Sequence, residues 1–186
     1  WQRLCRQPTS TGGVTQGDLR AGLNKGVAVR ITGYSPDYAE DFARLNYQWI
    51  EHYFRIEDED RAALDHPEAY AIEPGGEIFF LLIDEQVVGT AAMVPKAFHV
   101  SGDVARFELA KMAVDPSLQG RGLGKRLLAH AIDYARDQGA DEVVLSTNDI
   151  LMPALTVYRD AGFVVQPAAQ DERYERSNLF MVLTLT

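Results

Sequence analysis

Cysteine is nearly absent from the sequence. Cys5 is the only one in 186 residues, so no disulfide can form within the chain, and a reducing, cytoplasmic setting is expected. Long apolar runs are missing too. The longest is broken at Asp84, Glu85 and Gln86, far short of what spans a bilayer. The N-terminus, WQRLCRQPTSTGGVTQGD, has arginines but no apolar core, so it does not read as a secretory signal. Basic charge is in deficit: 18 Lys and Arg against 27 Asp and Glu give a formal net charge of −9, so unspecific binding to nucleic acid is not expected. The four histidines, His52, His66, His99 and His130, lack ligand spacing, and no metal site is expected.

What is present suits a folded enzyme-sized unit. The apolar fraction of 46% and charged fraction of 24% are ordinary for a globular chain of this length. Residues 1–25 are rich in Gly, Thr, Gln and Arg without periodicity and read as a flexible extension; residues 26–186 read as one domain. VAVRITGY alternates as a strand. Ser35 and Pro36 then open a helix with Tyr38, Phe42, Leu45, Trp49 and Tyr53 on one face. IEDEDRAALDHPEAYAI reads as a short charged helix and loop. EIFFLLI and VVGTAAMVP form a hairpin, and ARFELAKMAV is a further strand. Leu123, Leu127, Leu128, Ala131, Ile132 and Ala135 mark a helix ended by Gly139; DEVVLST is a buried strand; Pro153 starts a helix stopped by Gly162; two strands close the chain. The element order predicts a mixed α/β fold around one sheet.

The most informative stretch is AVDPSLQGRGLGKRLL, Ala113 to Leu128, with three glycines and three cations where a strand gives way to a helix. A magnesium-dependent phosphate loop fails, because only three residues separate Gly120 from Gly124–Lys125 and Arg126 stands where a hydroxyl is needed. A dinucleotide fingerprint fails because Lys125 replaces its third glycine. A helix N-terminus can nonetheless hold an anion on its free N–H groups, and glycines let phosphate oxygens approach the backbone. An ordinary tight turn is the competing reading of the same composition.

QGRGLG, preceded by MAVDP, resembles the (R/Q)xxGx(G/A) signature of the GNAT superfamily of N-acetyltransferases. TNDILMPALTVYRDAGF is similar to that family's second signature. The resemblance implies a single-domain fold with a mixed, mostly antiparallel sheet, splayed central strands and flanking helices. It implies transfer of acetyl from acetyl-CoA to a primary amine, of a small molecule or a protein, by direct attack in a ternary complex. In such enzymes the diphosphate lies on the loop, here Gln119, Gly120, Arg121, Gly122, Leu123, Gly124 and Lys125, and the pantetheine arm pairs with the preceding strand, here Met112, Ala113 and Val114. Asn148 matches an asparagine that helps hold the cofactor, at longer spacing than usual. Tyr158 matches a tyrosine that protonates the departing thiolate, or else is a buried helix tyrosine. Glu108 matches a general base, or else is a strand carboxylate paired with Arg106 or Lys111.

The acceptor is expected beside Trp49, His52, Tyr53, Phe54 and Phe98. The acidic run Glu57, Asp58, Glu59 and Asp60 reads either as a lure for a cationic amine or as a solvated helix start. Acetyl-CoA and an amine are the expected partners, with no nucleic acid and no membrane; a homodimer is among the assemblies left open. A non-catalytic acyl-CoA-binding module, or a transferase using another acyl-CoA or a hydroxyl acceptor, is the alternative function.

Overall fold

The computed structural model describes residues 28–96, 104–166 and 173–185. The extension expected at 1–25, with Cys5, and the candidate Phe98 lie outside the described residues. The chain runs β1 (Val29–Thr32), α1 (Ala39–Tyr53), α2 (Asp58–Asp65), β2 (Glu77–Ile83), β3 (Gln86–Lys96), β4 (Arg106–Val114), α3 (Leu123–Asp137), β5 (Glu142–Thr147), α4 (Met152–Asp160), β6 (Val164–Val165) and β7 (Leu179–Thr184). This is the order the sequence predicts. Two details differ. Ser35 caps a short 3-10 turn, Pro36–Tyr38, which leads into α1, and Glu68–Ile72 forms a π turn rather than plain loop.

All seven strands join one sheet in the order β1-β2-β3-β4-β5-β7-β6. Only the β4–β5 pair is parallel; the others are antiparallel. EIFFLLI is apolar throughout because β2 is covered on both faces. Phe79, Leu81 and Ile83 pack with Leu127, Leu128, Ala131 and Ala135 of α3, while Ile78, Phe80 and Leu82 pack with Phe42, Leu45 and Ile50 of α1. Gly76 is required at the entry to β2, since a β-carbon there would stand 2.1 Å from the Met93 carbonyl oxygen.

Two irregularities in the middle of the sheet create the site. First, β4 and β5 pair only over Arg106, Glu108 and the residue between them, opposite Glu142 to Val144. Beyond that point β4 follows β3 to Val114 and β5 follows β7 to Thr147, so the two strands part. Second, the β3–β4 register shifts between Thr90 and Ala92, which leaves one extra residue in β4. Lys111 occupies this bulge with φ 49°, a left-handed conformation that costs a non-glycine residue about 1–2 kcal/mol. The phase of β4 slips as a result. Phe107 and Leu109 face α3 before the bulge, Met112 and Val114 after it, and Lys111 turns to the α1 side.

Candidate active site

The gap between β4 and β5 opens into a pocket lined on the α4 side by Leu151, Pro153, Ala154 and Tyr158, and on the α1 side by Trp49, Tyr53 and Phe54. Glu108, Met112, Gln119, Asn148, Tyr174 and Arg176 line it as well. At the end of β4 the chain enters a 3-10 turn, Pro116–Leu118, and then the glycine loop. Gly120 and Gly122 have φ of 76° and 78°, and a β-carbon at either would meet open space. Gly122 caps α3 in the left-handed conformation, and the first helical bond is donated by Arg126 N–H to the Gly122 carbonyl. Among the described residues, no backbone carbonyl accepts from the N–H groups of Gly120 to Lys125. A row of free amides at the positive end of a helix dipole suits a phosphate. The loop's side chains differ in availability. Lys125 is paired with Asp160 at 2.6 Å and Arg126 donates to the Val29 carbonyl, whereas Arg121 Nη1 is buried without a partner. A diphosphate therefore fits this cradle.

Other residues expected at the cofactor already hold partners within the protein. The Gln119 N–H already donates to the Pro116 carbonyl, and its side-chain Nε2 donates to the Val114 carbonyl, so the free amides begin at Gly120. The Asp115 N–H donates to the Val88 carbonyl; strand alternation then turns the main-chain groups of Ala113 to β3 and those of Met112 and Val114 to the open edge. Ala113 thus contributes its side chain to the pocket wall, not its main chain. Asn148 donates through Nδ2 to the Arg176 carbonyl at 2.5 Å and accepts at Oδ1 from the Ile150 N–H. Both functional atoms of its amide are bound to the scaffold.

Tyr158 projects from α4 into the pocket, where burial pushes its phenol up to about 12. Its hydroxyl has no hydrogen-bond partner among the described residues. Glu108 is buried and is the only carboxylate among the described lining residues. Its cationic partners are Lys96, at 2.5 Å, and Arg173. The two partners suggested by sequence are engaged elsewhere: Arg106 with Glu142 and Lys111 with Asp60, each at 2.6 Å.

The acceptor side carries the largest surprise. Asp60, read either as part of a lure for a cationic amine or as part of a solvated helix start, is fully buried. Lys111 donates to one of its oxygens at 2.6 Å, and Arg176 grips both at 2.7 Å. Glu57 completes the group through Arg176 at 2.8 Å and forms a capping box with Asp60. Asp58 and Glu59 remain exposed, as expected. Burial pushes the Asp60 carboxyl upward, but the hydrogen bonds from Arg176 and Lys111 outweigh it and hold the group below the usual carboxylate range. Burial pushes Lys111 down despite Asp60. The Tyr174 ring lies between Lys111, 4.9 Å from its centroid, and Arg176, 4.6 Å away. Of the acceptor residues expected from sequence, Trp49, Tyr53 and Phe54 reach the pocket, while His52 is exposed against the Tyr53 ring.

Sequence reasoning missed Lys111, Tyr174 and Arg176. For Lys111 a signal existed. The large apolar residues of RFELAKMAV change phase between Leu109 and Met112, which is what one inserted residue produces.

Residues 43–163 match the model of the acetyltransferase (GNAT) family. The chain belongs to the GNAT acetyltransferase family. Among curated relatives, mycothiol acetyltransferase of Clavibacter sepedonicus is 30% identical over 174 residues, covering 86% of this chain and 51% of the relative. The human N-acetyltransferase 8B is 33% identical over 99 residues, covering 53% of this chain and 43% of the relative. The chain thus spans about half the length of these relatives. The GNAT fold is seen in solved structures too. An acetyltransferase from Staphylococcus aureus Mu50 superposes with a TM-score of 0.73 at 22% identity, covering 86% of this chain and all of that one. The yncA protein of Salmonella typhimurium, solved with its cofactor acetyl-CoA, gives 0.67 at 21% identity, covering 86% and 95%. The parting of β4 from β5 and the free-amide loop thus belong to a GNAT sheet.

Proposed function

We propose that this GNAT domain transfers an acetyl group from acetyl-CoA to a primary amine, both held in one ternary complex. The observation that carries the reading is the parting of β4 and β5 after Glu108 with the free-amide loop at the end of the same strand. The same strand thus carries a pocket wall, an open edge and, past its end, an anion cradle.

Acetyl-CoA supplies an acetyl thioester already activated toward an amine. The N–H groups of Gly120 to Lys125 hold the diphosphate, and Arg121 adds positive charge beside them. Met112 turns its main-chain groups and Val114 its N–H to the open edge, where they pair with the pantetheine arm as another strand would and orient the thioester carbonyl. Tyr158 stays protonated through the neutral range and donates a hydrogen bond to the sulfur as it departs. An amine with a pKa near 10 arrives mostly as ammonium, so a proton must leave before it attacks. Glu108, the carboxylate of the pocket wall, accepts that proton. Among the described residues no cysteine or histidine lines the pocket, which supports direct attack over a covalent acetyl-enzyme. Placing both reactants in one groove supplies most of the acceleration. Among the described residues no helix is long and apolar enough to cross a membrane; with a single cysteine in the chain, the cytoplasm is the setting we propose.

The test is thiol release from acetyl-CoA across a panel of amines, with product masses. Acetylated amine from the wild type, lost on Tyr158→Phe with acetyl-CoA affinity retained, supports the reading. Tight acetyl-CoA binding with no acetylated product from any amine overturns it.

A further inference from the structure

Each charged side chain that lines the pocket is already neutralised by another protein charge. Glu108 is held by Lys96 and Arg173, Lys111 by Asp60, and Arg176 by Asp60 and Glu57. Two polar handles on the acceptor side are engaged as well. Trp49 Nε1 donates to Asn46 Oδ1 at 3.1 Å, and Tyr174 Oη accepts from Lys111 Nζ at 3.3 Å. Apart from the Tyr158 hydroxyl and the half-exposed Tyr53, one more hydroxyl is open. Ser146 lines the pocket, and its Oγ is buried without a hydrogen-bond partner among the described residues.

Its place is defined by the sheet. Val144 pairs with Glu108 at the last point where β4 and β5 touch, and Ser146 follows two residues later on the same face of β5. At about 3.3 Å per residue it stands about 6.6 Å along the strand from Val144, inside the mouth of the gap. Leu145, its neighbour, faces α3, so Ser146 faces the α1 side, where Trp49 and Phe54 meet edge to face with centroids 6.3 Å apart. A buried hydroxyl with no partner is costly to leave unmade and is satisfied when a ligand brings one.

Resting on the acetyltransferase reading above, we infer that the acceptor is a primary amine with an apolar, ring-bearing body and no second charge, its body against Trp49 and Phe54 and its nitrogen at Ser146. The existing ion pairs argue against a second charge on the acceptor. A carboxylate or an additional ammonium would have to break one of those pairs or enter the pocket uncompensated. The apolar rings favour a flat body. Ser146 acts as a positioning residue: its Oγ accepts an N–H of the amine and aligns the lone pair toward the thioester.

The experiment compares acetylation of 2-phenylethylamine, phenylalanine, propylamine and spermidine by the full chain and by Ser146→Ala and Ser146→Thr. The wild type should show kcat/KM for 2-phenylethylamine at least tenfold above each of the other three. Ser146→Ala should raise KM for 2-phenylethylamine 5- to 30-fold, with acetyl-CoA affinity and melting temperature held, and Ser146→Thr should restore it. Preference for phenylalanine, propylamine or spermidine overturns the inference while leaving acetyl transfer standing. So does a Ser146→Ala enzyme with unchanged KM, or one whose loss Thr does not repair. No acetylated product from any amine overturns the acetyltransferase reading along with it.

Discussion

Lys111 Nζ and Asp60 Oδ1 lie 2.6 Å apart across 51 positions of sequence, both within the interior of the protein. Lys111 comes from the bulge in β4 and Asp60 from the first turn of α2, so the contact ties the helical cap to the strand that forms the pocket floor. Removing one partner of a buried pair strands the other, at about 3–5 kcal/mol. Asp60→Asn strands both Lys111 and Arg176 while keeping the shape. Urea unfolding should place it about 3 kcal/mol below the wild type; a difference under about 1 kcal/mol would mean the pair is solvated.

The same carboxylate sets a pH dependence. Its folded-state pKa lies below the unfolded value of about 3.9, so its contribution to stability is present above that value and is lost as pH falls through the lowered one. The gap in unfolding free energy between wild type and Asp60→Asn should therefore be constant from pH 5 to 7 and shrink below about pH 4. Unfolding curves across that range measure it directly.

Tyr158→Phe should lower kcat by about 100-fold, within the usual range for loss of a proton donor, while acetyl-CoA affinity stays within twofold. Because burial holds the phenol near 12, the wild-type rate should show no alkaline fall attributable to Tyr158 below about pH 11. A falling limb near pH 9 that vanishes in Tyr158→Phe would contradict this placement.

Asn148→Ala should act on the scaffold. It leaves the Arg176 carbonyl without its donor, which costs about 1–2 kcal/mol, and it loosens the segment that carries Tyr174 and Arg176. Reduced stability and a raised acceptor KM with unchanged acetyl-CoA affinity are the expected results. A large loss of acetyl-CoA affinity at unchanged stability would instead give Asn148 the cofactor contact its sequence position suggests.

Much of this architecture was legible in the residues. EIFFLLI declares a strand and the Leu123 to Ala135 stripe an amphipathic helix, and QGRGLG with MAVDP marks the turn that exposes free amides. What could not be read was how long-range contacts would dispose of charge. Asp60 and Lys111 are ordinary polar residues until a bulge turns one inward and α2 folds over it. Glu108 was marked by the family resemblance alone, with a plain strand carboxylate as the alternative; Lys96 and Arg173 come from other parts of the chain, and no local spacing announces them. Ser146 sits in a strand that reads simply as buried, and only the parting of β4 from β5 leaves its hydroxyl alone.

Calorimetric titration of acetyl-CoA into wild-type protein and Gly122→Glu is the most direct measurement. A carboxylate at the left-handed cap of α3 would stand where the diphosphate is held, so the folded variant should bind at least tenfold more weakly. Equal affinity in the two proteins would remove the loop from cofactor binding and, with it, the basis of the whole assignment.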